Sequence, residues 1–361
     1  MTAAAAERPP VSLITGFLGS GKTTLLNRLL ARPGMSATAV IVNEFGAIAL
    51  DHLLVTAPRE NMVMLASGCI CCTVRGDLVD TLRDLARKRD SGGIPPFDRV
   101  LIETTGLADP VPILQTLVTD AVAAPSYRLD CVATLVDAVH GAGELDAHPE
   151  ALKQAALADC LLISKCDLAD APEIAALETR LARLNPGARL HRVAHGEISP
   201  QDLFGAGLAD AWAGGAMLQR WLGIEACVAA EAHAGRHDER IRAFCLYRDR
   251  PVTAAGLMTW LNLLAAMRGA NLLRVKGLLN VEGKPVVVQA VQTLIHEPVE
   301  LARWPNADRR SRLVFITRDV ERAAIERTLA ALELGAGPRA APGALDPQAY
   351  ARFVEVAQAF R

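Results

Sequence analysis

The sequence has almost no charge imbalance, no long apolar run and few cysteines. Its 38 basic and 40 acidic side chains leave a formal charge of −2, so nothing in the electrostatics selects nucleic acid or an anionic membrane as the main partner. No apolar run reaches the roughly 20 residues that cross a bilayer, and Met1 to Pro10 lack the basic-then-apolar order of a secretory signal. Together these absences predict a cytoplasmic protein with neither a membrane nor a nucleic-acid partner. Eight cysteines in 361 residues are too sparse for a disulfide scaffold. Cys131, Cys160, Cys166, Cys227 and Cys245 sit mostly in apolar stretches and read as small buried hydrophobes. The remaining three crowd into Cys69, Cys71 and Cys72, which points to metal or redox chemistry.

What is present is a long alternation of short β-branched runs with amphipathic stretches, from Val11 to about Phe204. That is the pattern of a parallel sheet covered by helices on both faces. Strands are expected at Val11–Thr15, Thr38–Asn43, Met62–Leu65, Arg99–Thr104, Cys131–Asp137 and Cys160–Lys165, with a last one near Leu190–Ala194. Periodicity weakens between Gly205 and Glu239, which reads as a connector. A strand (Ile241–Arg248), a helix (Thr253–Arg268), strands Leu272–Val281 and Pro285–Leu294 bridged by Glu282-Gly283-Lys284, a strand Arg312–Thr317 and a helix from Val320 follow, the makings of a small α+β sandwich. The expected organisation is an N-terminal extension (1–10), an α/β domain (11–205), a connector (206–239), a smaller α+β domain (240–334) and a C-terminal tail (335–361) that opens on a flexible Gly-Ala-Gly-Pro stretch and holds a short terminal helix at Pro347–Phe360.

Gly16-Phe-Leu-Gly19-Ser20-Gly21-Lys22-Thr23 matches the phosphate-binding pattern G-x-x-x-x-G-K-[ST] and stands between an apolar strand and a helical run, the context that pattern needs. Gly19 and Gly21 let backbone N–H groups turn inward around phosphates, and the helix N-terminus adds its positive end. Lys22, expected to face solvent, would reach the β- and γ-phosphates, and Thr23 would ligate Mg²⁺. Leu101-Ile-Glu103-Thr-Thr-Gly106 has the layout of a Walker B acid followed by a switch. Glu103 would hold Mg²⁺ or its water, and the Gly106 N–H would sense the γ-phosphate. Base choice falls to Ser164-Lys165-Cys166-Asp167. A buried carboxylate at Asp167 can accept from N1–H and N2 of guanine, donors that adenine does not present, while Lys165 lays its stem along the base. The alternative for this tetrapeptide is a solvated Lys/Asp pair in a strand-end loop.

Gly68-Cys69-Ile70-Cys71-Cys72 follows the strand at Met62–Leu65, putting three thiols in one loop. Three thiolates suit Zn²⁺ and leave a fourth tetrahedral position for another side chain, water or a client's ligand, as a transfer site requires. The competing readings are a reactive vicinal pair at Cys71 and Cys72, or a buried structural loop.

In order along the chain, the phosphate-binding segment, Asn43-Glu44-Phe45-Gly46, Gly-Cys-Ile-Cys-Cys, Glu-Thr-Thr-Gly-Leu-Ala-Asp-Pro110 and Ser-Lys-Cys-Asp resemble the CobW family of P-loop GTPases. Leu273-Arg-Val-Lys-Gly277 and Gln289-Ala-Val-Gln292 resemble that family's C-terminal domain. The resemblance implies a GTPase that delivers a metal, usually Zn²⁺, to a client metalloprotein, with homo-oligomerisation open. By match it assigns Gly16 to Thr24 as the phosphate cradle, Glu103 as the Walker B acid, Lys165 and Asp167 as guanine readers, and Cys69, Cys71 and Cys72 as metal ligands. Asn43-Glu44-Phe45-Gly46 takes the switch I position, with Glu44 joining Lys22 and Glu103 as catalytic. Two departures stand out: many relatives have a glutamate where this chain has Ala47, and some have one where it has Val42. Glu44, Asp51, His52 or water then remain to complete the metal shell. His233 and His237, in the connector, read as solvated loop residues rather than a metal store. A P-loop kinase or ATPase acting on a small molecule, and a thiol redox regulator, are the rival functions.

Overall fold

The computed structural model describes residues 8–43, 63–67, 75–205, 215–232 and 240–333. The chain forms two compact units, Met1–Ala182 with Ala188–Ala211, and Arg183–Gly187 with Trp212–Arg361.

The first unit is built on a seven-stranded sheet. In chain order its strands are β1 (Pro10–Gly16), β2 (Thr38–Asn43), β3 (Val63–Ser67), β4 (Arg99–Glu103), β5 (Arg128–Asp137), β6 (Cys160–Ser164) and β7 (Arg189–Arg192). They lie side by side as β3-β2-β4-β1-β5-β6-β7, every pair parallel. Parallel strands need crossovers, and helices α1 (Lys22–Leu30), α2 (Arg75–Asp90), α3 (Val111–Thr119), α4 (Gly141–Ala147), α5 (Pro149–Leu157) and α6 (Ala171–Leu184) supply them. Strands buried on both faces read as continuous apolar runs, as Val11–Gly16 and Cys160–Ser164 do. Leu25, Leu26, Leu29 and Leu30 of α1 pack on Ile14, Val40, Leu101, Leu135 and Leu162, each leucine contributing about 1.5–3 kcal/mol by burial.

Strand ends differ from the sequence reading for local reasons. β5 begins at Arg128, three residues earlier than expected, because Arg128 and Leu129 pair with Pro10 and Val11 of β1. β6 stops at Ser164 because Lys165 turns into the left-handed region at φ 56°. Cys131 and Cys160 are fully buried in adjacent strands, and burial pushes both thiols up, Cys160 to about 12, so they behave as inert packing.

The second unit is an antiparallel sheet with strand order β11-β10-β9-β13-β8, formed by β8 (Ile241–Arg248), β9 (Leu272–Val281), β10 (Lys284–Val291), β11 (Leu294–Ile295) and β13 (Ser311–Arg318), with β12 (Val299–Glu300) paired to β10. Glu282 and Gly283, at φ 53° and 90°, make the two-residue turn between β9 and β10. Two helices of the first half of this unit, α7 (Gly215–Leu222) and α8 (Ile224–Ala232), fall inside the stretch read from sequence as a connector. That reading is corrected by packing: Leu218, Trp221, Leu222, Ile224 and Cys227 are all buried, and only Gly223, at φ 67°, interrupts the run. Helix α9 (Ala254–Arg268) starts at the cap Thr253, whose Oγ1 accepts from the Gly256 N–H at 2.9 Å. It buries Trp260 edge-on against Phe315, with the indole N–H donating to Thr328 Oγ1 of α10 (Arg322–Thr328) at 3.0 Å. No helix among the described residues is long and apolar enough to cross a membrane.

Candidate nucleotide site

Because all seven strands run in one direction, the loops that follow β1, β3, β4, β5 and β6 leave from the same edge of the sheet. Ligands bind open α/β sheets at this carboxyl edge. The loop after β1 carries Gly16, Gly19 and Gly21 at φ 143°, 72° and 91°. A side chain at Gly16 would meet the Leu135 carbonyl oxygen at 2.4 Å, so β5 crowds the loop at its base. Gly21 caps α1 in the left-handed conformation without a side-chain cap, leaving the helix N-terminus open to an anion. Ser20 is fully buried, and its Oγ has no hydrogen-bond partner among the described residues. Its carbonyl is held by Ser164 Oγ at 2.7 Å, which ties the loop to the end of β6.

Lys22, expected to face solvent, is instead buried. Its Nζ curls back over the loop and donates to the Gly16 and Phe17 carbonyls, each at 3.0 Å. The first helical residue thus braces the loop that its ammonium serves. Thr23 Oγ1 donates to Glu103 Oε1 at 2.8 Å, across 80 residues of sequence, so the two expected Mg²⁺ ligands meet. Glu103 is the last residue of β4 and is 5% exposed. Thr24, the third residue of the helix, is exposed.

Gly106 sits directly on the phosphate loop: a Cβ there would lie 2.6 Å from Leu18 N and 2.7 Å from Leu18 Cα. Its segment is fixed at the start by Thr104, whose N–H donates to the Ile14 carbonyl at 3.0 Å and whose Oγ1 donates to Thr15 Oγ1 at 2.8 Å.

On the other flank, Lys165 and Asp167 follow β6. Asp167, expected buried, lies at the surface. It stands in a loop three residues past the strand end, with His195 against its carboxyl. The backbone N–H of His195 donates to Asp167 Oδ1 at 3.1 Å, and His195 Nδ1 lies 3.2 Å from Oδ2. The His195 N–H, above all, holds this carboxyl below the usual carboxylate range. Lys165 is anchored by a residue the sequence reading missed. Asp137, the last residue of β5 and almost wholly buried, accepts from Lys165 Nζ at 2.6 Å and from the Val139 and His140 N–H groups at 2.8 and 3.3 Å. Burial pushes the Asp137 carboxyl up, but the lysine and the two N–H groups outweigh it and hold it low. An acid closing a buried strand was the available signal, the same one that marked Glu103. His148 stacks on Phe17 of the phosphate loop, ring centroids 4.5 Å apart.

Glu44, Cys69, Cys71 and Cys72 lie outside the described residues, as do Asp51, His52, His233 and His237. Among the described residues no cluster of three or more His, Cys, Asp or Glu side chains is arranged to hold a metal ion.

Comparison with known proteins gives a match over both units. Residues 10–192 match the profile described as "CobW/HypB/UreG, nucleotide-binding domain". Residues 241–333 match that of the "Cobalamin synthesis protein cobW C-terminal domain". The chain is 36% identical over 312 residues to the zinc chaperone YjiA of Escherichia coli, covering 85% of this chain and 93% of that protein. It is 29% identical over 366 residues to the zinc chaperone CobW of Pseudomonas aeruginosa, covering 89% and 90%. The crystal structure of the Zn(II)-bound YjiA GTPase from E. coli superposes with a TM-score of 0.68 at 29% identity, covering 90% of this chain and 99% of that one.

Proposed function

Since the chain belongs to the CobW/HypB/UreG family and carries its C-terminal domain, we propose that it is a GTP-hydrolysing metallochaperone, cytoplasmic, that loads Zn²⁺ at Cys69, Cys71 and Cys72 and passes it to a client metalloprotein. The observation that carries this reading is the shared edge of the sheet. Lys22 and the Lys165–Asp167 segment follow β1 and β6 at that edge, Glu103 ends β4 there, and β3 ends at the same edge at Ser67, two residues before Cys69 in the sequence. β3 lies three positions from β1, roughly 14 Å at the usual spacing between strands. A movement at the γ-phosphate would have to reach only the end of β3, from which the cysteine segment continues in sequence, to bear on the thiolates.

In this reading Lys22 releases the Gly16 and Phe17 carbonyls to meet the β- and γ-phosphates, and the open N-terminus of α1 with the unpartnered Ser20 Oγ completes the cradle. Thr23 and Glu103 offer one neutral and one anionic oxygen 2.8 Å apart, a donor set that suits a hard divalent cation such as Mg²⁺. Mg²⁺ held there would neutralise charge developing on the phosphates. Asp167 accepts from guanine N1–H and N2, and Lys165, pinned by Asp137, covers the base face.

The test is Zn²⁺ affinity, measured against a competing chelator at fixed pH on nucleotide-free, GTP-bound and GDP-bound protein. We expect one ion per chain and a difference between the GTP and GDP states. Equal affinity in all three would leave a metal site but no nucleotide-driven delivery.

A further inference from the structure

The loop from Thr104 to Pro110, which rests on the phosphate loop through Gly106, is held from behind by α5. Gln154 of α5 is 1% exposed, and its Nε2 donates to two carbonyls of that loop, Gly106 at 3.1 Å and Ala108 at 2.9 Å. Both partners are acceptors only, so the amide must present its NH₂ group to them, and both of its N–H bonds are used. Next to it, Lys153 Nζ reaches Asp109 Oδ2 at 2.6 Å, while Asp109 Oδ1 accepts from the Val111 N–H at 3.1 Å at the start of α3. The helix itself is fixed at this point, since Thr134 Oγ1 of β5 donates to the Gln154 carbonyl at 2.9 Å. Asp109 is half-exposed, and its pair with Lys153 contributes little in water. The two buried bonds of Gln154 are the rigid part of the attachment.

We infer that Gln154 is a positioning residue for the γ-phosphate: it sets where Gly106 lies against the phosphate loop and so controls the discrimination of GTP from GDP. Two observations converge on this. Gly106 has no clearance from Leu18, so a small displacement of its carbonyl moves its backbone relative to the loop. The contacts of α5 with this part of the site fall on the loop after β4, at Gly106, Ala108 and Asp109. The inference rests on the proposed role of Gly106 at the γ-phosphate.

The experiment compares wild type with Gln154→Met, which keeps length and apolar volume but leaves both carbonyls without donors, and with Gln154→Glu, whose neutral form keeps one donor. GTP and GDP affinities, single-turnover hydrolysis and thermal midpoint are measured on the full chain. Expected for Gln154→Met are a GTP-to-GDP affinity ratio lower by about tenfold, hydrolysis slower by at least about tenfold, and GDP affinity within about twofold of wild type, the size of effect two buried hydrogen bonds carry. Gln154→Glu should fall between Gln154→Met and wild type. An unchanged or raised GTP-to-GDP ratio overturns the inference, and so does an equal loss of both nucleotides, which would mark Gln154 as structural only. Gly106→Ala is the separate arm: if it leaves GTP affinity and hydrolysis at wild-type values, the reading of Gly106 has failed, independently of Gln154.

Discussion

Thr23 Oγ1 and Glu103 Oε1, 2.8 Å apart, join the first turn of the helix after β1 to the last residue of β4. Neighbouring parallel strands bring them together: Ile14 is in register with Glu103, so the two strand ends open side by side. Glu103→Gln keeps the acceptor for Thr23 and removes the charge. We expect it to retain nucleotide binding, to lose the Mg²⁺ dependence of GTP affinity, and to slow hydrolysis by at least about 100-fold, the scale on which preorganised charge acts at such sites. Nucleotide titrations with and without Mg²⁺, together with single-turnover rates, check all three. Hydrolysis at the wild-type rate would remove Glu103 from the site.

Lys22→Ala should abolish tight GTP binding with the fold retained. The lysine is buried, but its carbonyl partners Gly16 and Phe17 belong to the loop itself and not to the core. Titration against GTP and GDP decides the matter, with circular dichroism as the control for folding. Unchanged affinity would overturn the phosphate-loop assignment altogether.

How far the sequence carried this picture depends on the kind of signal. The spacing of Gly16, Gly19 and Gly21 and the strand-end acid Glu103 were legible, because glycine at such positions frees the backbone for a tight turn and a charge at a buried strand end requires a partner. The β9–β10 hairpin was legible through Glu282-Gly283, which supplies the two positive φ angles of a tight turn. The α7 and α8 helices were not, since flanking Gly, Ala and polar residues masked the short buried face of Leu218, Trp221 and Leu222. Gln154 and His195 were invisible because they act through long-range contacts, and no local spacing announces a partner 48 or 28 residues away, whereas Asp137, an acid closing a buried strand, carried the same signal as Glu103 and was passed over. Asp167 was read as buried on the chemistry it would perform, whereas a loop beyond the strand end leaves it accessible.

Asp167→Asn should move preference from guanine towards xanthine. The amide presents a donor where guanine N1–H needs an acceptor, and suits the oxo group of xanthine, while its own carbonyl can still take the His195 N–H. Competition between GTP and XTP reads the shift. A wild-type ratio would mean that Asp167 does not touch the base.

Asp137 gives a pH signature. Its folded-state pKa is held below the ordinary aspartate value of about 3.9, so the stability it contributes is fully present above that value and is lost as pH falls through the lowered folded value. Asp137→Asn removes this titration. Thermal midpoints taken from neutral pH down to about pH 3 should therefore fall less steeply in the variant than in wild type below about pH 4. The variant should also bind guanine nucleotides less tightly at neutral pH, because Lys165 loses its charged anchor. Parallel pH curves for the two proteins, with unchanged GTP affinity, would show that Asp137 positions nothing.

The reciprocal of nucleotide-dependent metal binding is the most demanding prediction. If GTP and GDP change Zn²⁺ affinity at Cys69, Cys71 and Cys72 by some factor, then Zn²⁺ must change the ratio of GTP to GDP affinity by the same factor, because both measure one coupling free energy. Couplings of about 1–3 kcal/mol correspond to roughly 5- to 150-fold. A triple Cys→Ser variant should lose tight Zn²⁺ binding and, with it, the effect of Zn²⁺ on nucleotide affinity, while its GTP and GDP affinities without metal stay at wild-type values. Thr23, Glu103 and Asp167 are untouched in that variant, so any loss of metal-free nucleotide binding would mean that the cysteine segment supports the nucleotide site itself. Retention of Zn²⁺ affinity by the triple variant would place the metal on other ligands and overturn the cysteine site. Unequal factors in the two directions would show that more than one metal site had been measured, since linkage at a single site leaves no freedom for them to differ.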